Sequence, residues 1–215
     1  MTRRAGGGRW RFYLVTAAAV ALAILAAIAV AACESIIGPP LVIGSGTVVT
    51  EIREVAAFTE IEARNSWELR VDIGSPGSVR LETDDNIMEV ARADVDEGRL
   101  IIDAPDVRVR RPTRMRATVT VLELVGLFGS GAAKIEVGDP LRASAFQASA
   151  IGSSELAIAD LITGSLSVTA QGTATIEIRG SARDVRLDIS DDADARLGEL
   201  TAARARAELS DSGRA

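Results

Sequence analysis

A chain of 215 residues has room for a leader and one domain with its own core, and 30 acidic against 24 basic residues leave a net charge of −6. With no histidine and one cysteine, it lacks the groups for a Ser-His-Asp triad, a His-activated thiol, a His-ligated zinc or an internal disulfide. In chain order, "MTRRAGGGRWRF" carries Arg3, Arg4, Arg9 and Arg11 with no acid, and "FYLVTAAAVALAILAAIAVAA" follows without a charge. A positive stretch before an apolar run is the layout of a secretory leader.

The apolar run ends at "VAAC", where Val30, Ala31 and Ala32 precede Cys33. An aliphatic and two small residues before a lone thiol resemble a bacterial lipobox, which implies cleavage after Ala32 and transfer of a diacylglycerol to Cys33. An uncleaved membrane helix is the competing reading, since about 20 apolar residues span a bilayer. Arg3 and Arg4 hint at twin-arginine export, but "RRAGGG" lacks the apolar residues that should follow the pair. Each of these readings sends the rest of the chain out of the cytoplasm. Loss of the four leader arginines leaves 20 basic against 30 acidic residues, a net charge of −10. An acidic domain with few aromatics has neither the basic face nor the stacking platforms of a nucleic-acid binder.

Residues 33–45, "CESIIGPPLVIGS", have a Pro pair, glycines and no periodicity, which predicts a tether between a signal segment over 1–32 and a domain over 46–215. The domain opens in strands. In "WELRVDI" Trp67, Leu69, Val71 and Ile73 share one face, while Glu68, Arg70 and Asp72 share the other. "SVRLET" and "RLIIDA" continue the alternation, with turns predicted at "GSPGS" (74–78) and "DEG" (96–98). Four stretches of the second half then align: "GSGAAKIEVGDPL" (129–141), "AIGSSELAIADL" (150–161), "AQGTATIEIRGS" (170–181) and "SDDADARLGEL" (190–200). The pairs Ile135/Val137, Leu156/Ile158, Ile176/Ile178 and Ala195/Leu197 recur at about 20 residues. "SLSVTA" and "DVRLDIS" supply second strands, and "RARAELSDSG" starts a further copy. Units too short to bury an apolar face alone must stack, so the expected fold is all-β, a right-handed parallel β-helix or β-solenoid. A β-sandwich of hairpins is the alternative. No polar cap is evident after the last unit.

Three of these stretches resemble the bacterial family described as putative auto-transporter adhesin, head GIN domain. They are the opening "GSGTVVTEIREVAAFTEIEA" (44–63), the middle "VRLETDDNIMEVARADVDEGRLII" (79–102) and the later "GSGAAKIEV"-type corners. The resemblance implies a right-handed β-helix-like fold, an envelope location and no established catalytic residues. Where the family tends to show Gly-Ser-Gly-Asp corners, this chain has "RNSWEL" (64–69) and "SDDADA" (190–195), so those coils are expected to be less regular, with Trp67 plugging an end.

The densest positive charge is "VRVRRPTRMRATV", whose Arg108, Arg110, Arg111, Arg114 and Arg116 are candidate anion-binding residues for phosphate or carboxylate groups. An outward strand face paired with nearby acids explains the same spacing. Asp84 and Asp85, and Asp191, Asp192 and Asp194, have the residue types of a calcium site or a glycosidase pair, but no calcium-loop spacing, and corner chemistry accounts for them. Phe146 and Trp67 are the aromatics of interest, and the alternation assigns Trp67 to the core. No catalytic residue, metal or cofactor is expected. The function expected is that of a non-catalytic envelope lipoprotein, an adhesin or a scaffold. Its partners are the membrane through Cys33 and an envelope glycan, an anionic lipid or a protein. The alternatives are a carbohydrate-active β-helix enzyme and a partner of a membrane protein.

Overall fold

The structure, a computed structural model, describes residues 39–74, 77–105 and 107–210. Val30, Ala31, Ala32 and Cys33 lie outside the described residues, and with them the expected cleavage and lipidation. The strands described below belong to one compact unit that begins at Leu41.

They are β1 (Leu41–Ile43), β2 (Val48–Arg53), β3 (Glu60–Ala63), β4 (Glu68–Ile73), β5 (Ser78–Asp84), β6 (Arg92–Asp96), β7 (Arg99–Asp103) and β8 (Arg108–Arg110). There follow β9 (Met115–Val121), β10 (Gly126–Gly131), β11 (Lys134–Val137), β12 (Leu141–Gly152), β13 (Glu155–Gly172), β14 (Thr175–Ile189), β15 (Asp194–Arg196) and β16 (Leu200–Leu209). A single helical turn, α1 (Asp85–Met88), interrupts them. The fold is therefore all-β. β1 and β8 form a small parallel sheet, and the remaining strands form one mixed sheet that curls into a nearly closed, barrel-like wall. Its inner side holds a continuous core that runs from Phe58 and Ile61 to Ala195.

Successive stretches of the second half lie side by side and parallel. Ile135 is laddered to Leu156, Leu156 to Ile176 and Ile176 to Ala195, so the apolar positions aligned in the sequence are neighbours in space. Farther along the same strands Phe146, Leu166 and Val185 form a second buried row, which assigns Phe146 to the core.

The first half departs from an all-parallel solenoid. β2 with β5, β5 with β9 and β6 with β7 are antiparallel. Connection length accounts for one of these pairs: two residues join β6 to β7, enough for antiparallel strands, whereas parallel ones need a crossover of about a dozen; β2 and β5, 24 residues apart, and β5 and β9, 30 apart, are paired by tertiary contacts. Between β6 and β7 the chain turns on Glu97 and Gly98, with φ of 47° and 81°, the double positive φ of a tight hairpin turn.

One corner recurs in five coils. Asn65, Gly131, Gly152, Gly172 and Asp191 all have positive φ, between 60° and 84°. A Cβ on Gly152 would sit 2.9 Å from the Gly131 carbonyl oxygen, and one on Gly172 2.7 Å from that of Gly152. Glycine is thus required where one coil rests on the next. The two departures from glycine adopt the same conformation: Asn65 donates its side-chain amide to Asp103 and Asp191 Oδ2 accepts from the Gly172 N–H at 3.1 Å. Asn and Asp tolerate this region because their short polar side chains bond locally. Just inside the corner, backbone bonds stack Trp67, Ala133, Ser154, Ala174 and Ala193 into one buried column, with Trp67 as its one large member.

The predicted tether is partly folded. Leu41–Ile43 pairs with β8, the Gly44 N–H donates to the Arg110 carbonyl at 3.1 Å, and Ser45 bonds Asp85 and Asn86. The compact unit includes Leu41–Ser45, which the sequence assigns to the tether.

Candidate functional site

The five candidate arginines do not form one cluster. Arg114 pairs with Glu82, and Arg116 lies 3.4 Å from Glu68. Both belong to a face on which Glu82, Arg116, Glu68, Lys134 and Glu155 stand in register across five strands. Lys134 and Glu155 also meet, at 2.9 Å. Opposite charges alternate along this row and neutralise each other, each exposed pair being worth about 0–1 kcal/mol. Arg108 and Arg110 stand elsewhere, on β8, and Arg111 follows them in a turn with φ of 50°. These three are exposed and have no acidic partner among the described residues.

Nor do the candidate acids converge. Asp84 is fully buried and accepts from the Gly46 N–H at 2.7 Å, the Thr113 N–H at 2.7 Å and the Thr113 hydroxyl at 2.8 Å. Burial pushes its carboxyl up, but the bonds from Thr113 and Gly46 outweigh that and hold it below the ordinary range. It therefore ties the segment before β2 to the loop before β9. Asp85 accepts from Ser45 and from the Asn86 N–H, and Asp194 pairs with Arg196 at 2.9 Å. Among the described residues no three carboxylates gather as a metal-holding group. Trp67 is fully buried, and its indole Nε1 has no hydrogen-bond partner.

Sequence inspection missed two features. Arg99 lies 3.8 Å over the Phe128 ring and is bound to Glu60 at 2.8 Å and Glu62 at 3.3 Å, a closed set that spans three strands. The other feature is a groove. Outward positions of β12, β13, β14 and β16 stand in register as Ala145, Ser165, Asp184 and Arg204, and beside them as Gln147, Ser167, Arg186 and Arg206. Between the rows, over the buried Phe146, Leu166 and Val185, lies a cavity of about 570 Å³. It exists because the residues at the bend are small: alanine and serine leave space where longer side chains would cover the strands. Asp184 is clamped by Arg183 at 3.0 Å and Arg204 at 2.6 Å, and the bond from Arg183 is the main cause holding its carboxyl low. The serine hydroxyls, the Gln147 amide and the Arg186 guanidinium offer donors and acceptors along an open trough. Such donors and acceptors can bond hydroxyl groups. These positions recur at about 20 residues, as the apolar pairs do, but outward positions carry no hydrophobic signal, so the repeat by itself does not show the groove.

A shallower hollow of about 170 Å³ lies between Glu136 and Glu177, which flank Ala157 in one ladder. Two strand spacings put their backbones about 10 Å apart. Glu136 is exposed, and Glu177 is ion-paired to Arg179 at 2.8 Å.

A sequence model of the family described as putative auto-transporter adhesin, head GIN domain, matches residues 57–215. No curated protein matches. Several solved structures share the fold. A putative adhesin from Bacteroides fragilis is 19% identical with a TM-score of 0.71, over 78% of this chain and 78% of that one. Another from Parabacteroides merdae is 16% identical with a TM-score of 0.65, over 79% and 80%. A structure named putative lipid binding protein, from Parabacteroides distasonis, is 15% identical with a TM-score of 0.66, over 79% and 81%.

Proposed function

We propose that this chain, which belongs to the family described as putative auto-transporter adhesin, head GIN domain, is a non-catalytic binding module of the bacterial cell envelope, lipid-anchored through Cys33. The lipobox-like "VAAC" and the basic, apolar leader before it support the anchor. Parallel registers that step by about 20 residues support a β-helical winding of the second half. The observation that carries the binding role is the outward groove between the Ala145 and Gln147 rows. It is open, polar at its rims and built from three adjacent strands, so it suits an extended hydroxyl-rich polymer such as an envelope or host glycan. The adhesin names of the structures from Bacteroides fragilis and Parabacteroides merdae agree with that role.

The test is saturable binding of the full chain, solubilised in detergent, to an array of envelope and host glycans. Arg186→Glu and Ser167→Trp, which alter one rim and fill the trough, should each weaken a hit at least tenfold with unchanged circular dichroism. A hit that both substitutions leave intact assigns binding to another face.

The carbohydrate-active alternative rests on Glu136 and Glu177, whose placement across Ala157 resembles the wide carboxylate spacing of inverting glycosidases. Against it, Glu136 is exposed and Glu177 is already engaged by Arg179 at 2.8 Å. Release of reducing ends from a polysaccharide, abolished by Glu177→Gln, would overturn the binding-module reading.

A further inference from the structure

We infer that the outer side of the β1–β8 sheet is a docking surface for an anionic bilayer, which orients the domain on the membrane that holds it. The inference rests on the proposal that Cys33 carries lipid, and it adds the part of the domain that touches the head groups. In this sheet Leu41 is paired with Arg108, Val42 with Val109 and Ile43 with Arg110. Paired residues of parallel strands point the same way. Val42 and Val109 turn inward onto the core, so Leu41, Ile43, Arg108 and Arg110 share the outer side. Leu41 is 53% exposed and Ile43 56% exposed.

A single exposed leucine would need no explanation. Two apolar side chains flanked by arginines form a different surface, since guanidinium groups reach phosphate while neighbouring aliphatic chains enter the head-group layer. Charge points the same way. Arg114 and Arg116, only a few residues on, are neutralised by Glu82 and Glu68, whereas Arg108, Arg110 and Arg111 have no acid against them among the described residues. The domain left after loss of the leader carries a net charge of −10, and this locally positive patch is complementary to an anionic surface. Beside it lies a hollow of about 360 Å³, bordered by Arg108, Arg110, Asn65 and Ser66, with room for a phosphate group.

Chain length closes the argument. Leu41 follows Cys33 by eight residues, a reach of about 27 Å when fully extended. A domain held on so short a lead must present some face to the bilayer, and the face nearest in sequence is the one with exposed apolar and cationic groups. Each arginine at an anionic surface should strengthen partition roughly fivefold, and the effect should weaken with added salt.

The test uses the full lipidated chain in vesicles of phosphatidylcholine, with or without about a third phosphatidylglycerol. A polarity-sensitive dye is placed at Ile43→Cys, or at Ile162→Cys as a control, an exposed position paired with Arg142 near the start of β12 and about 30 Å along β13 from the corner Gly172. The expected result is a blue shift at position 43 on the anionic vesicles alone. It should be lost in Arg108→Gln/Arg110→Gln and at about half-molar salt, with no shift at 162. The inference is overturned by equal emission at 43 on both vesicles, or by equal shifts at 43 and 162. It is also overturned by a shift that follows protein density rather than lipid charge, which would mean self-association. Flotation with neutral vesicles, lost in Cys33→Ala, reads the anchor separately, so failure of either proposal is recognised without the other.

Discussion

Asp84 is a carboxylate with a structural task at an address that invited a functional one. Three donors from Gly46 and Thr113 converge on a fully buried side chain, so the ionised form is the one the fold needs. Its folded pKa lies below the unfolded value. The stabilisation is therefore fully present above the unfolded pKa of about 4 and is lost as pH falls through the lower folded value. Asp84→Asn should cost about 2 kcal/mol at neutral pH and flatten the acid limb of stability against pH, as measured by urea unfolding from pH 7 to pH 2. An unchanged acid limb would remove Asp84 as its cause. The residue type was plain in "TDDN", but its partners were not, because Thr113 lies 29 positions away.

At the scale of the element, the corner column decides how closely coils stack. Gly172, with φ of 80°, has the Gly152 carbonyl 2.7 Å from where a Cβ would stand. Gly172→Ala should destabilise the fold by about 2 kcal/mol or more, since it combines left-handed strain with a backbone clash. Gly138→Ala is the control, because its Cβ would meet nothing within 4 Å and its φ is not in the positive region. Melting temperatures of the two variants read the difference directly. Equal melting temperatures would mean that the coils can part at that corner without cost. The column also explains "RNSWEL" and "SDDADA", which depart from the family's corners in residue type but not in conformation. Asn65 and Asp191 adopt the glycine backbone and each bonds a neighbouring coil, Asn65 at Asp103 and Asp191 at Gly172.

Across the whole molecule, order should decline toward the last coil. β16 pairs with β14 alone, and the residues that continue the inward rows, Ala205, Ala207 and Leu209, are exposed. In β13, by contrast, Leu166, Val168 and Ala170 are buried, with β12 on one side and β14 on the other. Backbone amides of 166–170 should therefore exchange at least a hundredfold more slowly than those of 201–209, as measured by hydrogen exchange and mass spectrometry. Equal protection would show that a second surface covers the last coil in solution.

The alternation of "WELRVDI", the 20-residue spacing of apolar pairs and the glycine corners specified strands, buried faces and the residues that stack, because each is a local pattern of period two or of one coil. The same locality concealed what lay across coils. β1 is not legible as a strand because three residues beside a Pro pair show no period, and its partner β8 lies 67 residues on. The five arginines looked like one cluster because they are adjacent in the chain. Only the tertiary structure, by bringing Glu82 and Glu68 alongside Arg114 and Arg116, divided them into a neutralised pair and an uncovered trio. The sequence by itself determined an all-β chain with an export-like leader, a lone cysteine and a repeating corner. The direction of pairing in the first half and the groove of the second were decided in three dimensions, since strand partners are chosen by contacts between residues far apart in the chain.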